Sequence, residues 1–311
     1  MNFLKSHTVR EVRGKRKCIF NTTFQNNTFI QVLLKVTNLD FEKTYESQEE
    51  FDTLHYGCVC IFTDEDVDGK GQIASLLIVL FMQWPALFNK WKWVKRMPTP
   101  IVRATPKGKR KNDVVEFDRL EELEVWLKDN PDAVDKYDFK YYKGLAGIEK
   151  PNLIPIFANF RERMITFTVD ETAQKYADIY YGKGTDERKI ELSSPLVALT
   201  TQELIMLEQG ICSCTTQFRH EAKEFQLDNI KRKIPGVLDG LIECRRKILT
   251  VMMDEAKRNS KPIKCDIIAA KALERMEYAH GAASLCQSIV TMAQQFCGKQ
   301  LVPLLISNEG I

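Results

Sequence analysis

The sequence predicts an α/β fold in the first part of the chain, followed by a mainly helical second part. Two short apolar runs rich in β-branched residues, 30–37 and 58–62, are typical of strands. An apolar stretch at 72–88 has helical spacing, and several amphipathic segments beyond residue 193 also indicate helices. The length of 311 residues is enough for roughly two domains of about 150 residues each.

Loops rich in Gly, Pro and charged residues interrupt the hydrophobic pattern and indicate where the remaining elements begin and end. A basic loop marked by Gly and Pro at 105–113 precedes an amphipathic helix at 117–127, and a second helical block covers about 152–180. Residues 181–189 (YGKGTDERK) are typical of a linker. Beyond it, the clearest helices are predicted at 243–257, 266–278 and 284–297.

Composition excludes several classes of protein. Hydrophobic residues make up 44% and charged residues 28%, which excludes disordered, collagen-like and disulfide-scaffold chains. The formal net charge is only +3, so any nucleic-acid binding must rest on a local basic patch. The longest apolar run is shorter than the roughly 20 residues of a membrane span, so no membrane partner is expected. The nine Cys include no CxxC pair, which favours reduced intracellular thiols over a zinc site.

The most informative segment is CVCIFTDEDVDG at 58–69, in which a predicted strand leads directly into Asp64, Asp66 and Asp68. Ligands of open α/β sheets collect at the carboxyl ends of strands. Three carboxylates at this spacing repel one another unless a cation neutralises them. Carboxylate oxygens suit Mg²⁺, which takes one or two of them together with phosphate oxygens and waters. The three aspartates are therefore candidate Mg²⁺ ligands.

Two other interpretations compete with a magnesium site. An EF-hand calcium loop also begins DxDxDG, but its twelfth position requires Glu where this chain has Ser75, and a strand precedes the segment instead of a helix. The other is a solvated acidic turn in which Asp64 only caps the following helix. Spacing alone leaves this second alternative open.

Motifs on both sides of the acidic segment resemble those of eukaryotic-type type IIA DNA topoisomerases. In that family an RYG, an apolar strand, TDxDxDG and an apolar helix ending WPSL mark the Toprim domain. The corresponding stretches here read LHYGCVCIFTDEDVDG and SLLIVLFMQWPALF. Further motifs occur in the family's order: VRGK (12–15), TPIV (99–102), KYYKGL (140–145), IPGVLDGLIECRRKIL (234–249) and YAHG (278–281).

The resemblance implies a domain order and a set of site residues. The fold would be a partial Toprim metal-binding domain at 1–150, a connector at 151–217, and a partial, mainly α winged-helix-type DNA-binding region at 218–311. Mg²⁺ would be held by three carboxylates, from Asp64, Asp66 and Asp68. Cationic side chains would contact the DNA backbone: Lys143, Arg245, Arg246 and Lys247. Arg246 and His280 would be catalytic, because the family places them at or near the scissile phosphate, where positive charge stabilises the transition state.

The residues themselves support part of this assignment. Between 231 and 247 six Lys and Arg face only Asp239 and Glu243, a local charge of +4. Arg245 to Lys247 lie in the first turns of a predicted helix, whose N-terminus attracts phosphate. A charge run is more often a solvated face, and an isolated His such as His280 is more often structural, so the ordered motifs carry the assignment.

The implied function is that of a piece of a type II topoisomerase cleavage core. In the intact enzyme this core performs Mg²⁺-dependent double-strand cleavage and religation, and ATP, bound outside this segment, drives strand passage. The implied partners are double-stranded DNA and either a second copy or another topoisomerase II chain, in the nucleus. The alternative is a non-catalytic DNA-binding or dimer-interfering paralogue. A Toprim nuclease or primase is disfavoured, because the KYYKGL and DGL…RRK motifs would have no role there.

Departures from the family pattern predict that the isolated chain is inactive. It holds no EGDSA-like stretch with the Toprim Glu, no Tyr preceded by Arg, and no ATPase region. The family's DGSHIKG is DGKGQIAS here, with one extra residue before the apolar helix. Ala146 replaces a Gly of KGLGTS, and residues 242–244 (IEC) replace the Lys-Pro-Gly that precedes the QRK motif.

Overall fold

The computed structural model describes residues 4, 7–12, 15–108, 113–142, 150–258, 261–276 and 281–293. The chain divides into two compact units, Met1–Gln226 and Leu227–Ile311. The predicted fold class, α/β followed by a mainly helical part, is confirmed. The domain boundaries predicted after residues 150 and 217 remain predictions.

The strands all lie in the first unit of the described chain. They are β1 (His7–Val12), β2 (Lys15–Phe20), β3 (Val59–Ile61), β4 (Val94–Arg96), β5 (Val102–Pro106), β6 (Val115–Phe117), β7 (Tyr137–Tyr141), β8 (Ile165–Thr168) and β9 (Ile211–Ser213). They form a two-stranded sheet β1-β2, a three-stranded sheet β6-β5-β7 and a four-stranded sheet β3-β4-β8-β9.

The helices of the first part include two with the wider π-helical turn. In chain order they are α1 (Thr22–Gln25), α2 (Thr28–Thr37), α3 (Gln48–Phe51), π1 (Val67–Ile73), α4 (Ala74–Phe81), α5 (Pro85–Asn89), α6 (Leu120–Asp129), α7 (Ala133–Lys136), α8 (Lys150–Ala158), α9 (Phe160–Arg163), α10 (Ala173–Tyr181), α11 (Asp186–Ser193), α12 (Thr201–Glu208), α13 (Cys214–Gln217) and π2 (Phe218–Ala222). They are followed by α14 (Lys223–Lys233), α15 (Glu243–Arg258), α16 (Cys265–Arg275) and α17 (Ala282–Ala293).

The four-stranded sheet organises the main core of the first unit. β3 runs parallel to β4, β4 antiparallel to β8, and β8 parallel to β9. The apolar helix α4 buries Ile78 and Phe81, and Trp84 and Trp93 are also fully buried in the same core. The predicted strand at 58–62 is confirmed as β3, and its carboxyl end opens into the acidic segment.

The predicted strand at 30–37 is wrong, because these residues belong to helix α2. Asn27 caps this helix by accepting a hydrogen bond from the Ile30 amide at 3.1 Å. Asn38 ends it in the left-handed conformation, with φ of +60°. The β-branched residues that suggested a strand are tolerated here because capping at both ends and burial of Ile30 favour the helix over local preference.

Other predicted helices are shorter or interrupted. The stretch 72–88 is divided into the end of π1, α4 and α5, because Pro85 begins a new helix. The helix predicted at 117–127 is α6, but its first residue closes β6. The block 152–180 contains strand β8 between helices, and the predicted linker at 181–189 overlaps α11. The Arg188 guanidinium donates hydrogen bonds to two carbonyl oxygens at the end of α10, each at 2.7 Å, and so holds that segment to α10.

The second unit is a helical bundle, and its three predicted helices are confirmed as α15, α16 and α17. Apolar side chains from all three fill its core: Ile248, Val251, Ile268, Ala269, Ala272, Leu285, Ile289 and Met292. Glu255 is 5% exposed beside this core and pairs with Lys271 and Arg275. None of the helices in the described ranges combines the length and apolar character that crossing a bilayer would require.

Candidate functional site

The acidic loop, defined as residues 62–69, connects β3 to π1. Asp66 caps π1, and its Oδ1 accepts a hydrogen bond from the Gly69 amide at 2.7 Å. A Cβ at Gly69 would lie 2.1 Å from the Asp64 carbonyl oxygen, so only Gly allows the loop to fold this tightly. The sequence therefore fixes the backbone that carries Asp64 and Asp66.

The three aspartates are not grouped as one set of ligands. Within the described ranges, no three His, Cys, Asp or Glu side chains are placed so that they could hold a metal ion together. Asp66 is exposed and turned back to cap π1, whereas Asp64 and Asp68 are half-buried. The described side chains therefore do not form a closed site of three protein ligands, and Mg²⁺, which takes one or two carboxylates together with water and phosphate, does not require one.

Sequence reasoning missed the residue between the two aspartates, Glu65, whose side chain is only 6% exposed. Arg96 at the end of β4 donates from Nη1 to both Glu65 carboxylate oxygens, at 2.9 and 2.8 Å, and the Thr99 amide donates to Oε1 at 3.2 Å. Burial raises the pKa of Glu65, while Arg96 counteracts this effect. The charge on this buried carboxylate therefore depends on Arg96. The ion pair anchors the acidic loop to the sheet.

The other end of the loop is held through contacts between π1 and π2. Lys70 forms ion pairs with Glu221 at 3.0 Å and Glu224 at 3.5 Å, and its carbonyl oxygen accepts a hydrogen bond from Gln217 Nε2 at 2.8 Å. Burial lowers the pKa of Lys70, but the two carboxylates outweigh it and the pKa is raised overall. Gly71 provides the close approach, since a Cβ there would lie 2.4 Å from the Glu221 carbonyl oxygen.

The second unit carries the basic segment, defined as residues 231–247. Arg246 makes a bidentate pair with Asp239, from Nε to Oδ2 at 2.7 Å and from Nη2 to Oδ1 at 2.9 Å. The hydrogen bonds from Arg246 lower the pKa of Asp239 to about 2. From the sequence alone, Asp239 is only an acid that offsets part of the nearby positive charge. Its position shortly before the start of α15 does not indicate that it pairs with Arg246.

Three of the cations in this segment are thus neutralised by nearby acids, since Lys247 pairs with Glu243 at 3.0 Å and Arg232 with Asp228 at 2.6 Å. Lys231, Lys233 and Arg245 form no ion pair with the described residues, and the two lysines are exposed. As predicted, 245–247 lie in the first turns of a helix. Two other predicted site residues, Lys143 and His280, lie outside the described residues.

Two known families match separate parts of the chain. Residues 97–205 match the "C-terminal associated domain of TOPRIM", and residues 232–310 match the DNA gyrase/topoisomerase IV family.

Relatives that match nearly the whole of this chain indicate the same family. The DNA topoisomerase 2 of African swine fever virus is 34% identical over 296 residues, which are 94% of this chain and 24% of that protein. Rat DNA topoisomerase 2-alpha is 30% identical over 292 residues, 90% of this chain and 18% of that protein.

The fold is also that of a solved relative, the Plasmodium falciparum topoisomerase II DNA-binding, cleavage and re-ligation domain. The TM-score is 0.71 at 24% identity, over 91% of this chain and 37% of that one. The chain thus spans about a quarter or less of the full length of the curated relatives described above. Since matches of sequence cover nearly all of its residues, the chain belongs to the eukaryotic-type type IIA DNA topoisomerases, of which it spans one part.

Proposed function

We propose that this chain is part of a DNA cleavage and religation core, with an acidic loop that holds Mg²⁺ and a basic segment that binds duplex DNA. The observation that carries the proposal is the anchored acidic loop, which presents Asp64 and Asp66 at the carboxyl end of β3 and is fixed at both ends. This is the position at which open α/β sheets bind their ligands.

The residues of the loop fit Mg²⁺ by their chemistry. Asp64 and Asp66 would be its main protein ligands, with Asp68 as a further carboxylate near them, and Glu65 is excluded because Arg96 and Thr99 occupy both of its oxygens. When bound, the ion supplies Lewis-acid stabilisation of charge on a phosphate. The chain's own contribution is a loop backbone that the contacts of Glu65, Asp66 and Lys70 hold in place.

The basic segment would provide the phosphate contacts. Lys231, Lys233 and Arg245 are the cations that the described acids leave available. Arg246 is held by Asp239 in a fixed orientation, which leaves Nη1 to face a phosphate and stabilise charge there. Lys143 and His280 keep their proposed roles at the DNA backbone and near the scissile phosphate by resemblance alone.

The remaining features of the intact enzyme belong to the proposal as well. They are homodimerisation or association with a topoisomerase II chain, ATP-driven strand passage with the nucleotide bound outside this segment, and location in the nucleus. Both viral and animal relatives match the chain, so the relatives do not themselves favour one location.

Removing the Asp64 carboxylate is expected to abolish Mg²⁺ binding, which should be weak in the parent because only two or three carboxylates contribute. The measurement is calorimetric titration of the 311-residue chain with Mg²⁺, comparing parent and Asp64→Ala. Asp129→Ala, which removes an exposed charge elsewhere, serves as the matched control and should bind as the parent does. Equal Mg²⁺ binding by Asp64→Ala and parent would show that the loop is only a capped turn.

Duplex binding by the basic segment should weaken steeply with salt, because phosphate contacts release counterions. Replacing Arg245 with Ala should reduce the slope of log affinity against log salt by about one, with little sequence preference. Lys257→Ala, at the far end of α15, is the control and should leave the slope unchanged. A binding isotherm that responds neither to salt nor to Arg245→Ala would remove this segment as the DNA contact.

The 311-residue chain alone is expected to leave supercoiled plasmid without a protein-linked break. Cleavage in the family requires a Tyr preceded by Arg, and none of the nine tyrosines in this sequence follows an Arg. The test combines the chain, plasmid, Mg²⁺ and ATP, followed by detergent and protease to reveal covalent complexes. A protein-linked linear product would contradict this expectation and require another nucleophile in the chain.

A further inference from the structure

Two thiols contact each other where α16 packs against α17 in the second unit. Cys265 is the first residue of α16, and Cys286 lies in the second turn of α17. The Cys265 thiol donates a hydrogen bond to the Cys286 carbonyl oxygen at 3.7 Å, and the Cys286 thiol hydrogen-bonds to the Cys265 side chain. A disulfide needs side chains that point toward each other from neighbouring backbone positions, and this pair meets that requirement.

The pair joins two helices of the same bundle. The two cysteines are 21 residues apart in sequence, and both pack against the core that α15, α16 and α17 share. A covalent link between such positions removes conformational freedom from the unfolded chain, and the effect grows with the length of the loop that is closed. A bond between Cys265 and Cys286 would therefore stabilise the helical bundle.

The surroundings of Cys265 keep its thiol protonated at neutral pH. Burial, the Cys286 thiol and the Asp266 carboxylate, in decreasing order, raise the pKa of Cys265 to about 11. The thiolate is the form that attacks a disulfide, so a protonated thiol reacts slowly. Brief contact with an oxidant should leave the pair reduced, whereas sustained oxidation should convert it.

We propose that Cys265 and Cys286 are a redox modification site, at which a small-molecule disulfide converts the two thiols into a reversible bond between α16 and α17. Either thiolate attacks one sulfur of the small disulfide, forms a mixed disulfide and displaces one small thiolate. The other protein thiolate then attacks the protein sulfur of the mixed disulfide and displaces the second small thiolate. Two protein thiols are oxidised, one small disulfide is reduced to two thiols, and the two protein thiol protons pass to the departing thiolates.

This inference goes beyond the proposed function and does not depend on it, since neither cysteine belongs to the acidic loop or the basic segment. The first measurement locates the bond. The reduced 311-residue chain is incubated with oxidised glutathione, and its tryptic peptides are identified by mass without reduction. Trypsin releases Cys265 in residues 265–271 and Cys286 in residues 276–299. These two peptides should appear linked, with the loss of two hydrogen atoms, and should separate when dithiothreitol is added.

Matched variants assign the linked sulfurs. Residues 276–299 also contain Cys297, so Cys286→Ser should abolish the linked peptide if Cys286 is the partner. Cys265→Ser should abolish it as well. Cys244→Ser is the control, because the Cys244 thiol lies 4.0 Å from the Ser288 hydroxyl in the same unit, and this variant should link the two peptides as the parent does.

The second measurement tests the effect on the bundle. Hydrogen exchange of amides in α16 and α17 reports the opening of these helices. Oxidation of the parent should slow this exchange by about tenfold or more, as expected for closing a loop of this length, and dithiothreitol should restore the original rate. Cys286→Ala should exchange at the same rate with and without oxidised glutathione, and the reduced variant compared with the reduced parent shows whether the bundle stays folded.

Four results would overturn the proposal. One is the absence of a linked peptide after prolonged oxidation of the parent. Another is a linked peptide that persists in Cys286→Ser, which would assign the bond to Cys297. The third is a disulfide between two copies of the chain, visible as a dimer on a non-reducing gel, in place of the bond within one chain. The last is a bond between Cys265 and Cys286 that forms but leaves the exchange of α16 and α17 unchanged.

Discussion

Replacing Arg96 with Ala is expected to lower the free energy of unfolding of the first unit by about 3–5 kcal/mol. Both members of the Glu65–Arg96 pair are nearly buried, with side-chain exposures of 6% and 9%. Removing the guanidinium leaves a buried carboxylate with the Thr99 amide as its remaining hydrogen-bond donor and only the more distant charge of Lys70 to stabilise it. Tryptophan fluorescence reports this unfolding selectively, since all four Trp of the chain lie before residue 127.

The same variant should respond to pH in a defined direction. Burial already raises the pKa of Glu65, and loss of Arg96 removes the charge that opposes this shift. A carboxyl whose folded-state pKa is raised contributes stability at low pH and loses it as the pH rises through that pKa. The deficit of Arg96→Ala against the parent should therefore grow with rising pH.

Controls for this experiment come from the same unit. Lys136→Ala breaks the exposed pair with Asp132 and should change the unfolding free energy by less than about 1 kcal/mol. The double variant Glu65→Leu with Arg96→Met should recover most of the lost stability, because a buried pair replaced by apolar groups leaves no uncompensated charge. An Arg96→Ala variant as stable as Lys136→Ala would show that the pair does not anchor the loop.

Replacing Gly71 with Ala should destabilise the first unit by about 1–3 kcal/mol or more, because there is no room for a methyl group between π1 and π2. The added Cβ would lie 2.4 Å from the Glu221 carbonyl oxygen and 2.7 Å from the Phe225 Cβ. Neither atom is at the end of a flexible side chain, so the two helices must separate. Separation would weaken the hydrogen bond from Tyr181 to the Gly71 carbonyl, now 3.2 Å.

Gly57→Ala is the matched control for Gly71→Ala, because its Cβ would meet nothing within 4 Å. It should change stability by less than about 0.5 kcal/mol in urea unfolding followed by tryptophan fluorescence. We also expect Gly71→Ala to weaken Mg²⁺ binding, since the end of the acidic loop moves with π1. Equal unfolding midpoints for the two Gly variants would contradict the close packing of π1 against π2.

The acidic loop and its strand could be predicted because the signals are local. An apolar run followed directly by alternating acids predicts β3 and its exposed carboxyl end. The helical core of the second unit was equally accessible, since the apolar residues of α15 to α17 recur at helical spacing. For the segment of α2, the run of β-branched residues led to the wrong prediction of a strand. Asn27, a residue type typical of a helix N-cap, was also visible in the sequence and favours the helix.

The partners that hold the candidate site could not be predicted. Glu65 lies 31 residues from Arg96, and Gln217 lies 147 residues from Lys70. Such pairs depend on how strands and helices pack, and a single sequence holds no local trace of that packing. The clamp between Asp239 and Arg246 is closer in sequence, but it spans a turn in which side chains follow no regular period.

The π-helical turn of π1 affects how this segment tolerates changes in length. Each residue added to an α-helix rotates all that follows by about 100°, which would carry the buried face of α4 away from the core. A π-helical turn takes in an extra residue without that rotation. A single residue added between Asp66 and Ala74 can thus be absorbed, while Ile78 and Phe81 keep their buried positions. An insertion or deletion of one residue here would therefore widen or narrow one helical turn. The acidic loop and the buried face of α4 would keep their positions.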